Sequence, residues 1–260
     1  MKQLKLEKNS LYRGSLILVN ARHPYREDTS PALTAVREGS QVLLERHAAV
    51  LLQSLMEEIG GWRQITPVSG WRSREEQREI WADSLRKKGE AFTRRFVALP
   101  GCSEHQTGLA IDLGFRKSFL DYLCPDFPHR GIGQTFRERA VSFGFIQRYP
   151  GEKESVTGIG FEPWHFRYVG IPHAAIMAEL DLTLEEYTEF IKKYPQEHPY
   201  IRREQGHLLA VSYIPAAGDS CTELCLEELC PYSLSGNNED GFILTEWRNS
   251  HADIPELRRA

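Results

Sequence analysis

Four side chains in two short segments could do chemistry in this 260-residue chain. His105 and Asp112 lie in the run from Ser103 to Asp112, and Glu162 and His165 lie in Glu162-Pro-Trp-His165. Two imidazoles and a carboxylate can hold one zinc ion and leave a fourth position open for water. A further carboxylate, Glu162, three residues before a ligand histidine, is placed to take that water's proton. Together these groups make up the working part of a zinc hydrolase.

Each group also has a plainer reading. Asp112 sits in Leu-Ala-Ile-Asp-Leu, an apolar strand where a carboxylate is costly without a partner or a cation. Alone it reads as a buried ion-pair or capping group, and His105 alone reads as structural. The two lie seven apart, too far for neighbouring turns of one helix, and Gly108 between them suits a loop that folds back. Pro163 disfavours a helix interior, so Glu162 and His165 read as a turn entering a strand, unlike the helical H-E-x-x-H arrangement. The joint occurrence of both segments, in this order, favours the metal reading.

The elements that must position these groups follow from periodicity. Val42 to Ile59 has apolar residues at helical spacing and stops at Gly60-Gly61. Ser73–Glu76, Thr135–Glu138 and Thr183–Glu186 carry the Ser/Thr-x-x-Glu capping pattern and predict three further helix starts. Leu16–Val19, Ile65–Ser69, Leu109–Leu113, Phe145–Tyr149 and Trp164–Val169 predict strands. The expected class is α+β: a small antiparallel sheet with helices packed around it and the zinc site on the sheet. After Pro199 the character changes, with strands expected at His207–Ile214 and Gly241–Trp247 and a turn-rich stretch between. The expected organisation is a catalytic domain over residues 1–197 and a strand-rich appendage over 198–260. The appendage is open to three roles, a cap over the site, a homodimer contact or neither, and its strand edges favour association.

Composition excludes other classes. At 41% hydrophobic and 26% charged, the chain is neither disordered nor fibrous. A net charge of -4 argues against nucleic acid as a partner. No segment reaches the ~20 apolar residues that span a bilayer, and the opening Met1-Lys-Gln-Leu-Lys is too charged for a signal peptide. The expectation is a cytoplasmic protein without a membrane partner. The five cysteines match no zinc-knuckle spacing and read as reduced thiols.

Ser103, His105 and Asp112, followed by Glu162 and His165, resemble the zinc D-Ala-D-Ala peptidases, the VanY, VanX and VanXY group. The runs Gly101 to Asp112 and Glu162 to Gly170 are especially similar to the bifunctional VanXY type. Ser69-Gly-Trp-Arg72-Ser and Gln77 resemble that family's substrate-binding segment. The resemblance covers roughly residues 15 to 195. It implies that His105, Asp112 and His165 are zinc ligands, Glu162 the catalytic base and Arg72 the group that stabilises the oxyanion. It implies substrate contacts for Gln77 and Ser103. Trp164, beside a ligand, would wall the pocket, and Arg167 and Tyr168 would tie the strand in behind the ligands. The implied activity is removal of the terminal D-alanine from D-Ala-D-Ala dipeptide, from the peptidoglycan precursor peptide, or from both, with a role in vancomycin resistance. An L,D-carboxypeptidase or an endolysin-type peptidase would share these ligands. A cell-wall-binding module without catalysis would not need Glu162.

Overall fold

The computed structural model describes residues 2–26, 31–116, 120–204, 207–218 and 221–249. Its elements in chain order are β1 (Lys2–Leu6), β2 (Leu33–Ala35), β3 (Leu43–Glu45), α1 (Arg46–Glu58), β4 (Ile65–Ser69), α2 (Arg74–Lys88) and α3 (Glu90–Phe96). There follow β5 (Ala110–Phe115), α4 (Gly131–Ala140), β6 (Phe145–Tyr149), α5 (Glu154–Thr157), β7 (Glu162–Tyr168), α6 (Ile171–Glu179) and α7 (Leu184–Ile191). The chain continues through β8 (Tyr200–Glu204), β9 (His207–Pro215), β10 (Thr222–Leu226), β11 (Tyr232–Gly236) and β12 (Gly241–Asn249). Among the described residues no helix is long and apolar enough to cross a membrane.

The contacts divide the chain into two units, Leu18–Tyr187 and a second unit built from both ends, Met1–Ile17 with Thr188–Ala260. An appendage was expected only after residue 197. The second unit also takes the first residues because β1 pairs antiparallel with β10, Leu4 opposite Leu224. The rest of that unit is a four-stranded sheet in the order β11-β12-β9-β8. Its β11–β12 turn is held by Asn237, whose Oδ1 accepts from the backbone of Glu239, Asp240 and Gly241 at 2.9–3.0 Å. Leu6, Leu11, Leu224, Leu226, Phe242 and Leu244 form its core.

The larger unit is centred on an antiparallel sheet in the order β4-β5-β7-β6. Side chains alternate between the faces of a strand. Ile111 and Leu113 of β5 and Phe166 and Tyr168 of β7 therefore join one core, with Leu52, Leu55 and Met56 of α1 and Phe136 of α4. The alternate positions, Asp112, His165 and Arg167, belong to the other face, and Asp112 pairs directly with His165 in register. Glu162 would share the parity of Phe166. However, the β6–β7 register shifts between Gln147 and Tyr149, opposite the stretch that contains Pro163. A bulge re-aims the side chains beyond it.

Three local expectations are corrected. Leu16–Val19 is buried but forms no strand. The helix expected from Val42 begins at Arg46: residues 43–45 pair with β2 instead, and the Glu45 carboxylate caps α1 by accepting from His47 N (2.8 Å) and Ala48 N (3.1 Å). Thr135 caps nothing, since α4 already runs from Gly131 and the Thr135 hydroxyl donates back to the Gly131 carbonyl. The capping boxes at Ser73 and Thr183 are present.

Candidate metal centre

Three elements bring the ligand set together. His105 stands on a 3-10 turn, Glu104–Thr107, that ends at Gly108. Gly108 has φ +72°, a conformation that favours glycine, and a Cβ there would lie 2.9 Å from Glu45 N. The turn folds back into β5, which carries Asp112, and β5 pairs with β7, which carries His165. The ligating atoms of His105, Asp112 and His165 all lie within 4.8 Å of one another, and all three residues are buried. His105 Nε2 is 3.1 Å from Asp112 Oδ2, and His165 Nδ1 is 2.8 Å from Asp112 Oδ1. His105 Nδ1 lies 2.6 Å from the Gly70 carbonyl, which can only accept. The proton therefore sits on Nδ1, and the Nε2 lone pair faces the cluster. A buried N, O, N set with a fixed tautomer fits a zinc ion with one position left open.

The other expected residues surround this cluster. Glu162 Oε2 is 3.9 Å from His165 Nδ1. Arg72 donates through Nη2 to Asp112 Oδ2 (3.3 Å) and through Nη1 to Gln77 Oε1 (3.1 Å). Its Nε is buried and has no hydrogen-bond partner among the described residues. Gln77 donates with its amide nitrogen to the Ala98 carbonyl at 2.7 Å, so both its polar ends are engaged. Ser103 occupies the N-cap position of the 3-10 turn, but its side chain makes no capping bond there. Trp164 packs into the core and also lines the cleft. Every site residue expected from the sequence lines a single cleft of about 1100 Å³, walled by α2, α3 and residues 120–123.

Behind the ligands lies a buried charge network that the sequence reading did not single out, except for Arg167. Glu104 Oε1 accepts from Arg148 Nε at 2.8 Å and pairs as an ion with Arg167 Nη1, also at 2.8 Å, and these three side chains are wholly buried. Arg148 reaches Glu185 through both terminal nitrogens at 2.8 and 2.6 Å. Tyr149 stacks on the His165 ring with centroids 4.9 Å apart. The available signal was an acid between Ser103 and His105, with arginines inside two apolar strands. Tyr168 lies apart from this network, against Phe145 and His47.

The electrostatics are those of a site short of positive charge. Burial pushes Glu162 up to about 8, with Asp112 and Glu104 adding and His165 and Arg72 opposing. Burial disfavours charge on His165, but its contacts with Asp112 and Glu104 prevail and raise it to about 9. Burial and the nearby Arg72 bring His105 down to about 4. Burial works against Asp112 and Glu104 too. Even so, His105 and His165 hold the first, and Arg148 and Arg167 the second, well below the usual carboxylate range.

A stability prediction follows for protein stripped of metal. Between pH 6.5 and 8, folded Glu162 and His165 each keep a proton that the unfolded chain has released. Rising pH therefore favours unfolding, by about 1.4 kcal/mol per pH unit for each such proton. His105 acts in the opposite sense only below 6.5. The denaturant midpoint in chelator should fall across this window. A midpoint that rises would contradict the assignment.

Comparison with known proteins agrees with this geometry. A family model described as VanY, D-alanyl-D-alanine carboxypeptidase, matches residues 41–171. The chain is 42% identical over 181 residues to VanXYC of Enterococcus gallinarum, a bifunctional D-Ala-D-Ala dipeptidase and D-Ala-D-Ala carboxypeptidase, covering 68% of this chain and 95% of that protein. It resembles the crystal structure of the vancomycin resistance D,D-dipeptidase VanXYg in complex with a D-Ala-D-Ala phosphinate analog, with TM-score 0.92 and 47% identity, over 95% of this chain and 99% of that one. A variant of the D,D-pentapeptidase VanY from a VanB-type cassette, solved with Zn(II), superposes with TM-score 0.56 at 33% identity, over 67% of this chain and 98% of that one.

Proposed function

Because the chain belongs to the VanY family of D-alanyl-D-alanine carboxypeptidases, we propose that it is a zinc D,D-peptidase that hydrolyses the bond before a terminal D-alanine. Its substrates are D-Ala-D-Ala dipeptide and the peptidoglycan precursor peptide ending in the same pair. The observation that carries this reading is the convergence of His105, Asp112, His165, Glu162 and Arg72 on one cleft. His105, Asp112 and His165 would hold the zinc. When bound, zinc supplies Lewis acidity that polarises the scissile carbonyl and makes water acidic near neutral pH.

The chain's own groups do the rest. Glu162 takes a proton from the attacking water and passes it to the departing amine. The charge of a bound cation beside it would favour its carboxylate form. Arg72 is anchored by one bond from Nη2 to Asp112 and one from Nη1 to Gln77, and its guanidinium keeps further N–H groups to donate to the developing oxyanion. Burial lowers the Arg72 pKa somewhat, with Asp112 and Glu162 opposing, yet a guanidinium stays charged. In this reading Gln77 orients Arg72, while Ser103 and Trp164 face the substrate in the cleft. The cleft reaches the upper end of the ~300–1,000 Å³ range of ligand sites and suits a longer peptide as well as the dipeptide.

All five cysteines are free thiols, which suits the cytoplasm and its soluble precursors. Removing D-Ala-D-Ala ends there would remove the group that vancomycin binds. The test is a hydrolysis panel of D-Ala-D-Ala, the pentapeptide precursor and a tetrapeptide with a terminal L,D bond, each with and without chelator. D-Alanine should be released from the first two only, and chelator should abolish it. Release from the L,D substrate alone would overturn the D,D assignment.

A further inference from the structure

The two candidate histidine ligands face the cluster through different nitrogens. His105 turns Nε2 inward and keeps its proton on Nδ1 for the Gly70 carbonyl. His165 turns Nδ1 toward Asp112 and points Nε2 at Glu104 Oε2, 3.6 Å away. His165 Nε2 and Glu104 Oε2 are both buried, neither has a hydrogen-bond partner among the described residues, and the 3.6 Å between them is just beyond hydrogen-bond range. A proton on His165 Nε2 answers both atoms at once, since the imidazole then donates and the carboxylate accepts.

We propose that Glu104 is a positioning residue that holds His165 in its Nε2–H tautomer, so that Nδ1 presents the lone pair to the metal. This inference rests on the zinc reading above.

Glu104 is built to do this and nothing more mobile. Arg148 and Arg167 occupy its Oε1, both at 2.8 Å, which leaves Oε2 for His165. Glu185 clamps Arg148 in turn with two bonds. Tyr149, stacked on the ring, prevents His165 from turning over. Two arginines and two glutamates balance in charge, so the network needs no further counter-ion. A carboxylate that merely paired with arginines would not need one oxygen aimed at a ligand ring. A carboxylate behind a metal-bound imidazole fixes the ring and raises its basicity.

Two experiments test the assignment. In zinc-loaded wild-type protein with ¹⁵N-labelled histidine, long-range ¹H–¹⁵N spectra should show opposite tautomers, Nδ1–H for His105 and Nε2–H for His165. The same tautomer on both rings would overturn the proposal, and this measurement needs no variant to fold. In Glu104→Gln, the amide must turn its NH₂ toward either the arginines or His165, so one contact becomes donor against donor. Zinc affinity, read by competition with a chromophoric chelator, should weaken ~10–100-fold, and Glu104→Asp should recover part of it. Wild-type affinity in a folded Glu104→Gln sinks the proposal alone. A wild-type protein that binds no zinc sinks both it and the functional reading.

Discussion

Glu162→Gln is expected to bind one zinc as wild type does and to lose about 10³-fold in kcat, within the range of general acid–base catalysis. Glu162 lies at the edge of the ligand cluster, its Oε2 3.9 Å from His165 Nδ1, while the mutually close ligand atoms are those of His105, Asp112 and His165 alone. Removing its charge should therefore leave the metal in place and take away the proton carrier. The other buried acid nearby, Glu104, cannot substitute, because two arginines hold its Oε1 and keep it well below the usual carboxylate range. Metal analysis and single-turnover kinetics on D-Ala-D-Ala would check this. Full zinc content with wild-type turnover would show that the base is elsewhere.

Arg72→Lys is expected to lower kcat ~10²–10³-fold on both dipeptide and precursor, with a smaller change in KM. The arginine makes one contact to Asp112 and another to Gln77 and still has N–H groups to offer. An ammonium is a single point charge and cannot keep three directed donors in a fixed fork. A loss confined to KM would mean that Arg72 binds the ground state and does not stabilise the transition state.

The candidate ligands were legible in the sequence because their pattern is local. His105 and Asp112 share one loop-and-strand segment, Gly108 marks its reversal, and Pro163, read as part of a turn before a strand, lies inside β7 at its irregularity. The β5–β7 register, with strand alternation, then puts Asp112 and His165 on one face of the sheet. The charge network was less legible. Glu104 takes its meaning from Arg148 and Arg167, which approach from β6 and β7, and no local pattern announces that convergence. The resemblance implied a substrate contact for Gln77. Its buried amide also connects Arg72 to the Ala98 carbonyl, a connection that only tertiary packing creates. Likewise β1 reads as an irregular charged segment, since Lys2–Leu6 shows its strand character only against β10, which comes almost at the other end of the chain. Propensity failed at Val42–Glu45 for the same kind of reason: an apolar run with helical spacing was claimed by pairing with β2.

The most direct test of the central claim is a zinc titration of chelator-stripped protein, scored by D-alanine released from D-Ala-D-Ala. Activity should rise linearly and stop at one equivalent of zinc, and His165→Gln should abolish both the tight site and the release. D-alanine release that persists without metal, or that saturates at one equivalent in His165→Gln as in wild type, would contradict the assignment of His105, Asp112 and His165 as the catalytic zinc site.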